Sequence, residues 1–167
     1  MKVEPGTKED LPAILELVQS ARAELKQLSI PQWQDSYPGK EDFLKDIDEG
    51  SLYVLKKAGE VIGVAALVIG VEEAYEHPLK GGFTVSKPYA TIHRITVKNQ
   101  QRHNGSAVYF GEKLIEIAKE KDAKGICVDT HADNVRMQKY VRKLGFVKVA
   151  VVMVTDGGLR DGFEILF

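Results

Sequence analysis

The chain predicts a mixed α/β (α+β) fold, a largely antiparallel central sheet of about seven strands with helices on both faces. Three observations lead there. β-rich runs follow one another as hairpins over residues 51–71 and 146–167. Between them, apolar residues at helical spacing alternate with strand-like segments, as strand-helix-strand crossovers require. The 167 residues, 44% hydrophobic and 28% charged, suit a single domain over residues 1–167. A chain of that length buries roughly 70% of its unfolded surface, enough for a core.

Residues 1–5 read as a short strand. Thr7 and Asp10 stand at capping-box spacing, and Leu11, Ile14, Leu15, Val18, Ala21 and Leu25 then repeat with helical period. Pro12 is compatible with that helix only in its first turn. Residues 29–40 hold Pro31, Trp33, Tyr37, Pro38 and Gly39, a loop by composition. Residues 41–48 form a short helix with Phe43, Leu44 and Ile47 inward, and residues 51–57 and 61–71 are strands joined by Ala58-Gly59-Glu60. Residues 70–89, with Pro78, Pro88 and Gly81-Gly82, read as one long irregular stretch, which in a compact domain is a functional lid or a mobile segment.

The strand at residues 90–97 breaks its own alternation, because Ile92 and Ile95 have opposite parity; a bulge accounts for this. Val108, Leu114, Ile115 and Ala118 give one face of a helix over residues 105–121. A short strand at 125–130 precedes a helix at 134–144, with Met137, Tyr140, Val141 and Leu144 inward and Gly145 as its stop. Strands at 146–155 and 160–167 close the chain around Asp156-Gly157-Gly158.

Composition excludes several functions. The formal net charge of −1 and the dispersed Lys and Arg offer no basic field for nucleic acid. The single cysteine, Cys127, rules out an internal disulfide, fits a reducing compartment, and on a buried strand is inert. The first residues are charged rather than apolar, and no run approaches the roughly 20 residues that span a bilayer, so the expectation is a cytoplasmic protein without a membrane partner. His77, His93, His103 and His131 show no ligand spacing, and no metal is expected.

The chemistry concentrates at Arg102-x-x-Gly105-x-Ala107, between a strand and a helix. Small residues where a helix opens let an anion approach backbone N–H groups, and the helix dipole favours negative charge there. This predicts a phosphate-binding turn and suggests a cofactor bearing a pyrophosphate. Arg102 is otherwise a solvated loop cation, and Gly105 a residue that only relaxes the backbone.

With Asn134 and the pair Gly145-Phe146 at the end of the next helix, these residues make the chain similar to the GNAT superfamily of acyl-CoA-dependent N-acyltransferases, over nearly its whole length. The segments 33–38 and 129–134 resemble a bacterial subgroup of mostly uncharacterised members. The resemblance implies acetyl-CoA as co-substrate. Its pyrophosphate would rest on backbone N–H groups of Arg102, His103, Asn104, Gly105, Ser106 and Ala107, and its pantetheine arm would lie along Ile95, Thr96 and Val97. The fourth and fifth strands, residues 90–97 and 125–130, would splay apart to admit the arm, and Asn134 would contact its amides. Homodimers are frequent in the family.

Each residue also has a plainer reading. Asn134 is a natural N-cap. His93, a candidate catalytic base, could equally be a structural hydrogen-bonder in its strand. Trp33 and Tyr37 are core aromatics or border the acceptor pocket. Many members place a tyrosine acid four residues before Gly-Phe; here that residue is Val141, while Tyr140 is about 100° away around the helix. Direct transfer of acetyl to a primary amine is the reading, with Glu72 or Glu73 as weaker candidates for the base. The rivals are an acyl-CoA-binding sensor without turnover and, last, a nucleotide-phosphate binder, for which Gly-x-Gly-x-x-Gly and P-loop patterns are lacking.

Overall fold

The structure, a computed structural model, describes residues 1–155 and 158–167, with the side chains of residues 102 and 103 outside that description. Its elements run β1 (Lys2–Pro5), α1 (Leu11–Gln27), α2 (Lys40–Asp48), β2 (Leu52–Lys57), β3 (Glu60–Gly70), α3 (Glu73–Glu76), β4 (Lys80–Gly81), β5 (Tyr89–Val97), α4 (Ser106–Glu120), β6 (Gly125–Thr130), α5 (Val135–Lys143), β7 (Val147–Met153) and β8 (Leu159–Leu166). A 3-10 turn precedes α1 (Lys8–Asp10) and another precedes α4 (Asn99–Asn104). The strands form one open, mostly antiparallel sheet of eight, ordered β1-β2-β3-β5-β6-β8-β7-β4.

Two compact units emerge. The first comprises Met1–Leu67 and His93–Lys113. Its α1 starts as the capping residues direct: Asp10 Oδ2 accepts the Thr7 backbone N–H at 3.0 Å and the Thr7 hydroxyl at 3.1 Å. Pro12 falls in the first helical turn, where its missing N–H costs nothing. Leu11, Ile14, Leu17 and Val18 of α1 and Phe43 of α2 pack with Leu52, Val54 and Val64 of the β2–β3 hairpin into one cluster. Ala58 and Gly59, both at positive φ (50° and 82°), turn that hairpin between the paired Lys57 and Glu60.

The second unit comprises Val68–Ile92 and Leu114–Phe167. β6 and β8 pair in register from Gly125↔Leu166 to Thr130↔Asp161. β7 pairs with β8 through a register shift between Lys148 and Ala150. Tyr75, Tyr89, Cys127, Ala150 and Val152 form its cluster, with Phe83 and Val85 packed against them. The expected turn at Asp156-Gly157-Gly158 has its first two residues outside the described set; Val154 N–H closes onto Gly158 C=O at 3.0 Å.

Residues 70–89 differ from the irregular stretch that the sequence suggests. They hold the one-turn helix α3, buried at Tyr75, and the two-residue strand β4, which pairs Lys80↔Val151 and Gly81↔Ala150 and is why the sheet has eight strands. Glu164 of β8, only 5% exposed, accepts the Thr84 N–H (2.8 Å), the Thr84 hydroxyl (2.6 Å) and the Val85 N–H (3.1 Å), and so pins the following segment. Neither element is long enough to show periodicity, and backbone pairing and a distant carboxylate supply the order instead.

Candidate functional site

In β5, Tyr89, Ala90, Thr91 and Ile92 are all buried; His93, Arg94 and Ile95 are half-buried; Thr96 and Val97 are buried again. The change falls at Arg94, whose φ of +54° is left-handed. One left-handed residue rotates the strand about its axis, which accounts for the opposite parity of Ile92 and Ile95. The parallel ladder of β5 with β6 carries two registered pairs, Ala90↔Ile126 and Thr91↔Cys127, before this point. Lys98 N–H, just after the strand, donates to Ile62 C=O at 2.7 Å.

Beyond β5 the chain winds into the 3-10 turn rather than an open loop, with Gln101 N–H on Lys98 C=O at 2.9 Å. The exposed side chain of Lys57 reaches Gln101 Oε1 at 3.0 Å, and Asn104 Nδ2 donates to the same oxygen at 3.1 Å. Gly105 follows at φ +79°, ψ −3°, a conformation that glycine adopts without penalty. Among the described residues, a Cβ placed there would meet nothing within 4 Å. α4 then begins, its ladder opening with Tyr109 N–H on Gly105 C=O at 2.9 Å. Ser106 is 1% exposed, backbone and side chain together. The Arg102 side chain, a candidate phosphate contact, lies outside the described residues, as does that of His103.

The loop between α1 and α2 carries Trp33 and Tyr37. Trp33 is half-buried and Tyr37 is 43% exposed, so neither is a core aromatic. Arg22 of α1 holds this loop by donating from Nε to Trp33 C=O (2.9 Å) and from Nη2 to Pro38 C=O (2.7 Å). Arg94 donates side-on to Asp46 of α2, Nε to Oδ2 at 2.8 Å and Nη2 to Oδ1 at 2.5 Å, and Nη1 reaches Tyr37 Oη at 3.0 Å. Burial opposes the Arg94 charge, but Asp46 and Tyr37 outweigh it and raise its pKa.

In the second unit, Asn134 caps α5, its Oδ1 accepting Met137 N–H at 3.1 Å. The capping role is therefore present. Gly145, at φ +96°, ends the helix, and Phe146 N–H returns to Val141 C=O at 3.1 Å. Val141 is 2% exposed and Tyr140 half-buried. Val141 is thus a core aliphatic side chain. Cys127 is fully buried and its thiol, surrounded by apolar atoms and near Glu164, is pushed up to about 12, which makes it unreactive.

Sequence reasoning missed Tyr75. Its hydroxyl donates to Asp129 Oδ2 at 2.6 Å, and its ring stacks on Phe83 with centroids 4.5 Å apart. Burial, then the facing carboxylate, holds its proton well above the usual phenol range. Such a phenol is a poor acid. Its signal lay in the pairing of a loop aromatic with a strand carboxylate 54 residues away, which no local pattern carries. Among the described residues, no group of three or more His, Cys, Asp or Glu is placed to hold a metal, and no helix is long and apolar enough to cross a membrane.

Comparison with known proteins agrees with this geometry. A search of curated proteins returns no match. An acetyltransferase of the GNAT family from Streptococcus agalactiae 2603 superposes with a TM-score of 0.92 at 31% identity, over 99% of this chain and 95% of that one. The ribosomal-protein-S18-alanine N-acetyltransferase of Escherichia coli superposes at 0.66 with 16% identity, over 99% and 92%, a likeness of fold. The acetyltransferase (GNAT) family profile matches residues 17–146. With the profile matching residues 17–146 and a solved relative 31% identical over nearly the whole chain, the chain belongs to the GNAT family of acetyltransferases, which use acetyl-CoA as acetyl donor.

Proposed function

We propose that this protein transfers an acetyl group from acetyl-CoA to a primary amine by direct attack, both substrates being bound together. The observation that carries the reading is Gly105: left-handed, with no described atom within 4 Å of where a Cβ would stand, at the mouth of a 15-residue helix. The diphosphate seat is formed by backbone N–H groups of Arg102, His103, Asn104, Gly105, Ser106 and Ala107. The pantetheine arm follows Ile95, Thr96 and Val97.

The amine must lose a proton before it attacks. His93, adjacent to the left-handed Arg94, is the candidate base, directly or through a water molecule. A backbone N–H within residues 95–97 stabilises the developing oxyanion. Val141 supplies no proton, so the thiolate leaves with one from water; a thiol with an ordinary pKa near 8.5 tolerates this. Trp33 and Tyr37 border the acceptor. We place the protein in the cytoplasm, as a single catalytic domain and a candidate homodimer without nucleic-acid or metal partners.

Val141 favours a second reading, a protein that binds acyl-CoA as a sensor. Free-thiol release from acetyl-CoA across a panel of small amines, amino acids, aminoglycosides and peptides separates the two. Release with at least one amine is expected; CoA binding with none turned over selects the sensor.

A further inference from the structure

We infer that Arg94 is a positioning residue that ties the acceptor loop to the strand carrying the thioester. This rests on the proposed placement of acetyl-CoA along residues 95–97 and of the acceptor beside Trp33 and Tyr37.

The loop between α1 and α2 is unusual in its backbone. Ser29, Trp33, Asp35 and Ser36 all have positive φ (55°, 61°, 54° and 72°), and none is a glycine. L side chains resist that conformation, so something outside the loop must hold it. Two arginines do so. Arg22 fastens the carbonyls of Trp33 and Pro38 from α1, and Arg94 fastens the hydroxyl of Tyr37 from β5.

Arg94 differs from an ordinary structural cation in two ways. It is itself left-handed, between the candidate base His93 and the backbone at residues 95–97. Its guanidinium is also anchored by a nearly buried carboxylate: Asp46 is 2% exposed and bonded through both oxygens. The Asp46 carbonyl in turn accepts Ser51 N–H at 2.9 Å and its hydroxyl at 3.2 Å, which fixes the end of α2 to β2. With the side-on edge held by Asp46, the guanidinium has little freedom, and Nη1 presents a fixed donor to Tyr37. A shift of the strand at residue 94 therefore displaces Tyr37, and a shift of the loop is felt at the strand. Occupancy of the CoA side and order of the acceptor loop become linked quantities.

Trp33 is the protein's single tryptophan and lies in this loop, so its fluorescence reports the loop directly. The experiment measures acrylamide quenching of Trp33, with and without saturating CoA, in the wild type, Tyr37→Phe and Arg94→Lys, alongside calorimetric CoA binding. Tyr37→Phe removes one hydroxyl and leaves the Asp46 pair, so the fold survives. The expected result is that CoA shields Trp33 in the wild type and that this response is lost in both variants. Tyr37→Phe should keep its CoA dissociation constant within about threefold. With the best acceptor from the amine panel, Tyr37→Phe should raise acceptor KM at least about fivefold with a smaller change in kcat. A CoA response of Trp33 that persists unchanged in both variants, or calorimetric binding with no response in the wild type, overturns the inference and leaves the acetyl-CoA reading standing. Absence of calorimetric binding in the wild type overturns that reading, and the inference with it.

Discussion

At the scale of single residues, Gly105 and His93 make separable demands. Gly105→Ala adds a methyl with no described atom within 4 Å, so its penalty is that of the left-handed backbone, about 1 kcal/mol. CoA binding should survive that change. Gly105→Glu puts a carboxylate where the diphosphate is proposed to sit, and calorimetry should then detect no CoA binding while circular dichroism stays native. Equal affinities in the two variants would remove the seat from this turn. His93→Gln keeps a polar side chain of similar length but no base. It should lower kcat about 100-fold with CoA binding retained. An unchanged kcat would move the proton transfer to another group.

Among the elements, α1 shows how closely stability follows one cap. Burial raises the Asp10 carboxyl, but the Lys56 ammonium at 2.8 Å and the Thr7 donors outweigh it, so its pKa falls below the ordinary 3.8. A lowered folded-state value contributes stability that is complete above 3.8 and is lost as pH falls through the folded value. Asp10→Asn should therefore cost about 1 kcal/mol at neutral pH and give a shallower decline of urea midpoint below that pH. Glu164→Gln keeps one acceptor for the Thr84–Val85 pair and loses the charge, so amide exchange at Thr84 and Val85 should accelerate about tenfold, a shift near 1.4 kcal/mol in local opening. Exchange as slow as in the wild type would show that other contacts hold that segment.

The same elements show where sequence is legible. Thr7 and Asp10, Ala58-Gly59 and Gly145 act through neighbours within a few positions, so the start of α1, the β2–β3 hairpin and the stop of α5 could all be read directly. The parity break at Ile92 and Ile95 announced an irregular strand, and Arg94 supplies it. Asn134 announced a cap and makes one. The contacts of Arg94 with Asp46, Tyr75 with Asp129, and Glu164 with Thr84 span 48, 54 and 80 residues. Such pairs depend on sheet order, which local periodicity does not encode. For the same reason α3 and β4 went unread.

For the molecule as a whole, neither compact unit is a continuous stretch of chain; the polypeptide passes between them after Leu67, Ile92 and Lys113. Removing one by truncation would cut through β3, β5 and α4. Ligand effects are therefore best read on the full chain. CoA at a hundred times its dissociation constant should add about 2.7 kcal/mol, raising Tm by about 5–10 °C for a protein of this size. No shift at that ratio would contradict binding to the folded form. The sheet's margins carry one more consequence. Its outermost strands are the four-residue β1, which bears Lys2, Glu4 and Pro5, and the two-residue β4. Margins so short and so polar give a passing chain little to hydrogen-bond against, which protects the concentrated protein from fibrous self-association.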